Sequence, residues 1–185
     1  MPDLYRVFPY DPDAAPHEPG GALHAPRDRQ GNGRADNPGR YSVVYFAATP
    51  AAAAAERFQS FAGRRVTPAH LRGGRSGLPL ALANVSVRRD DARNLDDPAA
   101  LQEHALIPSD VATRDRHVTQ AWALRLWEAG FPGVRYWSAI EAKWPVIARW
   151  SLDDVRVEQV EPLTVFHAAL REAAALLGIE IGRSR

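Results

Sequence analysis

Strands and helices interleave irregularly along this chain, and several strands follow one another near its end. That pattern predicts an α+β fold, a compact mixed sheet with flanking helices. Two absences argue against a doubly wound dinucleotide domain: no Gly-x-Gly-x-x-Gly follows the first strand, and no phosphate-binding P-loop occurs. A length of 185 residues fits a single domain over 1–185.

The elements read as follows. Leu4 to Phe8 alternates apolar with polar residues and predicts a first strand. Residues 9–39 are rich in Pro, Gly, Asp and Arg and have no apolar period, so they are either a functional loop or a disordered one. Val43 to Ala47 is β-branched and aromatic, a second strand. Thr49 then suits an N-cap and Pro50 the first helical position, where a missing N–H costs nothing. Ala51 to Ala55 propagate that helix to Glu56-Arg57-Phe58, and their small side chains let it lie close to a sheet.

Gly63 to Gly77 is a basic, glycine-rich connection carrying Arg64, Arg65, Arg72 and Arg75, and Leu80 to Val87 is a strand. Ala92 to Asp110 reads as loops and turns, with a helix start at Asp97-Pro98. Thr113 to Ala129 predicts a helix facing the core through Val118, Ala121, Trp122, Arg125 and Ala129, closed by Gly130. Gly133–Trp137, Pro145–Trp150 and Val155–Val160 predict three strands. A last helix over Leu163–Leu177, apolar at Phe166, Ala169, Leu170, Ala173 and Leu177, ends at Gly178.

Composition narrows the function. Hydrophobic residues make up 45%, enough for a real core. With 23 basic against 22 acidic residues the net charge is +1, which supplies no electrostatic case for binding nucleic acid directly. Cysteine is absent, so disulfides, thiolate metal sites and a cysteine nucleophile are excluded. No apolar run approaches the ~20 residues of a membrane span, and the N-terminus has no secretion-signal pattern, so the expectation is a cytoplasmic protein without a membrane partner. The six histidines show neither i, i+4 pairing nor a His-x-Glu context, and no metal is expected. Trp137, Trp144 and Trp150 are expected to fill the core under the sheet.

The first half of the chain carries the candidate chemistry. Arg6 and Arg40 each present a planar fork suited to a pyrophosphate. Tyr45 can stack on a planar ring. Glu56 can hydrogen-bond ribose hydroxyls and stabilise positive charge growing at an anomeric carbon. Each also has an ordinary structural role: an edge charge, a solvated loop arginine, a core aromatic, an exposed helix carboxylate. Ser138, following two aromatic residues, can simply end a strand.

Their order is more telling. Tyr5-Arg6, Gly39-Arg40-Tyr41, Val44-Tyr45-Phe46-Ala47, an Ala-rich helix bearing Glu56, and Gly130-x-x-Gly133-Val134-Arg135-Tyr136-Trp137-Ser138 together resemble the RES-domain family, named for an arginine, a glutamate and a serine. The resemblance runs from residue 4 to about residue 150. It implies a fold similar to the ADP-ribosyltransferase toxins, with a cleft for extended NAD. It further implies cleavage of the nicotinamide–ribose bond by an NAD phosphorylase or NAD glycohydrolase, with inorganic phosphate or water as acceptor. Members commonly act as toxins held by an Xre-like antitoxin whose C-terminal segment blocks the cleft. On this resemblance NAD is a substrate and no cofactor is needed.

Carried onto this chain, Arg6 and Arg40 grip the phosphates, and Tyr45 with its neighbour Tyr41 lines the substrate site. Glu56 orients the ribose, and Ser138 hydrogen-bonds the substrate near the scissile bond. Arg6, Glu56 and Ser138 form the catalytic set. The pattern departs at Trp137, where members often carry proline, and at Ala139-Ile140-Glu141, where a basic residue is usual. Glu141 is thereby a rival carboxylate, ranked below Glu56. Two other readings stay open on the residues: mono-ADP-ribosylation of a protein, and a non-catalytic module that binds a nucleotide or partner.

Overall fold

Residues 3–89 and 91–182 are described by the computed structural model. In chain order the elements are β1 (Asp3–Pro9), β2 (Val44–Ala47), α1 (Pro50–Phe58), β3 (Arg65–Val66), β4 (Leu80–Val87), β5 (Arg93–Asn94) and α2 (Pro98–Glu103). They continue with α3 (Pro108–Ala112), α4 (Arg116–Glu128), β6 (Gly133–Trp137), β7 (Pro145–Arg149), β8 (Val155–Pro162), α5 (Ala168–Leu177) and β9 (Glu180–Ile181). These form two compact units. One comprises the N-terminal segment to His24, Ala47–Val87, and Val155 onward; the other comprises Ala25–Phe46 and Arg88–Asp154.

In the first unit β4 lies between β1 and β8, antiparallel to both, with Arg6 opposite Ala83 and Val87 opposite Val155. Ala47, the last residue of β2, pairs antiparallel with Tyr5. Seven of the eight β4 residues are buried, as expected of a central strand covered on both faces. β8 instead exposes Arg156, Glu158 and Glu161, charges that protect an edge from pairing with another chain. The Thr49 hydroxyl accepts from the Ala52 N–H at 3.1 Å, so α1 starts where the cap and Pro50 predict. Ala51 to Ala55 are all buried, and α1 packs on β1, β4 and α5. Phe58, Leu80, Leu163, Leu170 and Ile179 form the centre of this core.

The second unit has the strand order β5-β6-β7-β2. β5 runs parallel to β6, and β6 antiparallel to β7, so the sheet is mixed. α4 packs on β6, and Trp122, Leu126, Val134, Tyr136 and Ala148 share one buried cluster. At the end of α4, Gly130 takes a positive φ of 87°, and its N–H reaches the Trp127 carbonyl while Phe131 N–H reaches Leu126. Together these are the paired bonds of a Schellman motif, which a residue without Cβ accommodates at least cost.

The architecture is thus the mixed α/β one that the interleaving predicts, and several boundaries differ. α4 begins at Arg116, because Asp115 caps it by accepting the His117 N–H at 2.8 Å. Its buried face is Thr119, Trp122, Ala123 and Leu126; Val118, Ala121, Arg125 and Ala129 are exposed, so the expected stripe shares only Trp122. α5 begins at Ala168, since β8 extends to Pro162 and the His167 ring caps the helix by accepting from Ala169. Phe166 lies before it, 71% exposed. α2 starts at Pro98, the Asp97 carboxylate accepting the Ala99 N–H at 2.9 Å, where Asp97-Pro98 predicts a helix start. The rest of that stretch, expected as loops and turns, also holds β5 and the start of α3, and β3 pairs in parallel with β9, two short strands the sequence does not signal. Trp122 is the tryptophan sealed in the core; Trp137 and Trp150 pack against it partly buried, and Trp144 is likewise only half-buried. No helix among the described residues is long and apolar enough to cross a membrane.

Arg149 is 1% exposed and donates to Asp154 at 2.7 Å and to the Ser151 carbonyl at 3.2 Å. Arg65 and Glu180 form an exposed pair. Removing one partner of a buried pair strands its charge, whereas an exposed pair is screened by water. Arg149→Ala is expected to cost about 3 kcal/mol in urea denaturation, while Arg65→Ala leaves the midpoint where it is.

Candidate active site

The candidate residues divide between the two units, Arg6 and Glu56 in the first, Arg40, Tyr41, Tyr45 and Ser138 in the second. Arg6 sits between the buried Leu4 and Phe8 on the same face of β1, an alternation that turns its stem inward. Its guanidinium donates to the carbonyls of Ala22 at 2.5 Å and His24 at 3.0 Å. Burial lowers its pKa to about 10, so the group is still a cation at neutral pH. A guanidinium has five N–H donors, and these bonds engage two. Arg6 therefore ties down the end of the segment that follows β1 and keeps donors for a ligand anion.

Glu56 lies near the end of α1, half-buried. Both its carboxylate and its backbone carbonyl accept from the Gln59 side-chain amide, at 3.3 and 3.1 Å. The Thr49 cap sets where α1 begins and so on which turn Glu56 falls. α1 packs on β1, the strand that carries Arg6.

In the second unit Tyr41 and Tyr45 converge on one peptide. The Tyr41 hydroxyl donates to the Ala35 carbonyl at 2.8 Å and accepts from Asn37 at 2.9 Å. The Tyr45 hydroxyl accepts from the Ala35 N–H at 3.0 Å and donates to Asp36 at 2.5 Å. The Tyr41 ring is buried, with Trp127 and Trp150 at 5.6 and 5.0 Å between centroids. Burial raises its hydroxyl to about 12. Tyr45 is pushed well above the ordinary phenol value, first by burial and then by Tyr136 and Asp36. Arg40 is exposed at the turn before β2, its N–H bonded to the Asn37 carbonyl.

Ser138 is buried just past β6. Its Oγ accepts from the Ile140 N–H at 3.0 Å, and its own N–H donates to the Trp144 carbonyl at 3.0 Å, closing a turn between β6 and β7. Glu141 sits in that turn and accepts the Lys143 N–H at 3.2 Å.

Residues 25–39, within the stretch that reads as either a functional or a disordered loop, prove to be built around polar side chains. Gln30 pairs with both backbone groups of Val43. Arg34 donates to the carbonyls of Val111, Ala112 and Thr113 at the end of α3. Asp36, 5% exposed, accepts from the N–H groups of Gly31 and Gly33 at 2.7 Å each, besides the Tyr45 hydroxyl. Gly33 has no room for a Cβ, which would meet the Tyr45 hydroxyl at 2.3 Å. The one sequence signal for Asp36 is its place after glycines in a turn-rich run, where Asp commonly bonds nearby N–H groups. Two of the histidines serve local structure: His70 accepts from Thr67 N–H, and His104 stacks edge-on against Phe131.

The family model of the RES domain matches residues 3–172. Among solved structures, a chain of the crystal structure of the M. tuberculosis MbcT-MbcA toxin-antitoxin complex superposes with a TM-score of 0.62 at 17% identity. The match covers 95% of this chain and 88% of that one, so the two share a fold. No curated protein matches at a significant level.

The two raised hydroxyls give stability a pH dependence of definite sign. Tyr41 and Tyr45 keep their protons more tightly when folded, so the unfolded chain binds fewer protons above its own phenol pKa of about 10. Their contribution is complete below about pH 10 and is lost as the pH rises through the folded values. Urea midpoints measured upward from that pH should fall less steeply in Tyr41→Phe than in the wild type.

Proposed function

Because the chain belongs to the RES-domain family, its match spanning residues 3–172, we propose that it is the toxin of a toxin–antitoxin pair and acts by cleaving the nicotinamide–ribose bond of NAD. That match carries the reading, and Arg6, Arg40, Tyr45, Glu56 and Ser138 all lie within it. The shared fold with a chain of a toxin–antitoxin complex supports an antitoxin partner; that this partner is Xre-like and covers the site is what the RES-family resemblance implies.

The reaction suits these side chains. The bond between ribose C1 and the pyridinium nitrogen breaks with its electron pair going to nitrogen, so nicotinamide leaves neutral. An oxygen of phosphate or water bonds to C1, and a proton is released to solvent. The leaving group carries its positive charge beforehand, so no strong general acid is required. What the protein supplies is binding and charge. Arg6 and Arg40 hold phosphate oxygens through charge-assisted bonds. The Glu56 carboxylate bonds the ribose and stabilises the cationic character that develops at C1 in the transition state. The Tyr45 ring packs against the nicotinamide end, and Ser138 bonds the substrate near the scissile bond.

Incubating the purified protein with NAD, with and without phosphate, should release nicotinamide. Glu56→Gln should slow that release on the order of 100-fold with an unchanged melting temperature. Arg6→Lys should weaken NAD binding while keeping a cation near Ala22 and His24. Release untouched by Glu56→Gln sinks the proposed site, and label from NAD ending on protein points to mono-ADP-ribosylation instead.

A further inference from the structure

Asp36 is a buried carboxylate that the reaction scheme above leaves without a task. We infer that Asp36 is a positioning residue for that reaction: it fixes the Tyr45 hydroxyl, and through it the plane of the ring against which the nicotinamide end of the substrate packs. The inference rests on the NAD reading.

The geometry begins at a helix. Gln120 of α4 donates through its side-chain amide to the carbonyls of Gly31 and Gly33, at 2.9 and 3.0 Å. The N–H groups of the same two glycines donate to one oxygen of Asp36 at 2.7 Å each. Its other oxygen accepts the Tyr45 hydroxyl at 2.5 Å, and that hydroxyl accepts the Ala35 N–H at 3.0 Å. A tyrosine side chain is placed by two torsions, and two bonds of different direction at its far end leave little freedom in either. The hydroxyl proton is committed to Asp36, so what Tyr45 offers a ligand is its ring.

Only a carboxylate completes this arrangement. It is acceptor-only, and all three of its bonds here come from donors. An asparagine in its place must turn its NH2 either toward two N–H groups or toward a hydroxyl that needs an acceptor. The first choice costs the side chain its own anchor on the glycine N–H groups and the second costs the hydroxyl its acceptor, so either loosens the hold on the ring. Gly33 is constrained by the same contact, since a Cβ there would stand 2.3 Å from the Tyr45 hydroxyl and 2.4 Å from Asp36 Oδ1.

The test pairs Asp36→Asn with Tyr45→Phe and their double variant, and adds Gly33→Ala as a second way to dislodge the ring without changing charge. Nicotinamide release gives kcat/KM, and NMR of ring-labelled tyrosine reports the Tyr45 ring directly, with no substrate present. Asp36→Asn should lower kcat/KM on the order of 100-fold, the double variant should fall no further than either single one, and the Tyr45 ring should begin to flip rapidly. A purely structural Asp36 would lower the melting temperature while the two losses multiplied, and that result overturns the inference. So does an unchanged Tyr45 resonance in both Asp36→Asn and Gly33→Ala. A wild-type protein that releases no nicotinamide overturns the NAD reading and the catalytic role with it, whatever the resonance shows.

Discussion

Backbone that belongs to neither helix nor strand can be buried only if its N–H and C=O groups find partners, and this requirement organises the long passage between β1 and β2. No ladder satisfies those groups; turn bonds such as Asp11 N–H to the Gly20 carbonyl and Leu23 N–H to the Pro16 carbonyl satisfy some of them, and side chains satisfy others. Arg6 takes the carbonyls of Ala22 and His24, Gln30 takes both groups of Val43, and Asp36 takes the N–H groups of Gly31 and Gly33. Arg34 works in the opposite sense, using the passage to satisfy the open carbonyls at the end of α3. A net hydrogen bond contributes only ~1 kcal/mol, but leaving a buried group unmade costs the full desolvation penalty. These side chains therefore decide whether the passage folds at all.

The same bonds bring the candidate site its order. Arg6 and Tyr45 are at once candidate site residues and anchors of irregular chain. The Arg6 guanidinium and the Tyr45 hydroxyl both carry shifted proton affinities. Burial is the first cause at both Arg6 and Tyr45. A cation kept in a shielded place is the kind that binds phosphate oxygens strongly, because water competes less for it.

Local rules made part of this legible in the sequence. The strands 80–87 and 133–137 and helix α1 follow from short apolar or aromatic runs bounded by glycine or polar residues and from a Thr-Pro cap, all short-range signals. α4 was misphased because Val118 and Ala121 have the right spacing on the wrong side of Trp122; which side faces inward depends on the sheet beneath. α5 was extended too far back because Leu163 and Val165 are buried without being helical. Arg6, Glu56 and Tyr45 could be picked out by residue type and order. Asp36 could not, since its worth lies in Tyr45 nine positions away, and a turn-forming Asp in a polar run looks the same with or without that partner.

The ends of the stretch from Arg88 to Asp154 meet: Arg88 N–H donates to the Asp154 carbonyl at 3.0 Å, one step beyond the paired Val87 and Val155. Arg149 and the Asp154 carboxylate draw the neck of this stretch tight, reaching Arg89 through its N–H and its carbonyl. Topologically the stretch is a cassette spliced between two adjoining strands, its ends held together by the strand pair and by Arg149 at its neck. Lengthening or exchanging its interior adds little to the entropy of closing it, because that cost grows only slowly with length. Insertions in the loops of this stretch are therefore compatible with an unchanged register of the β4–β8 pair.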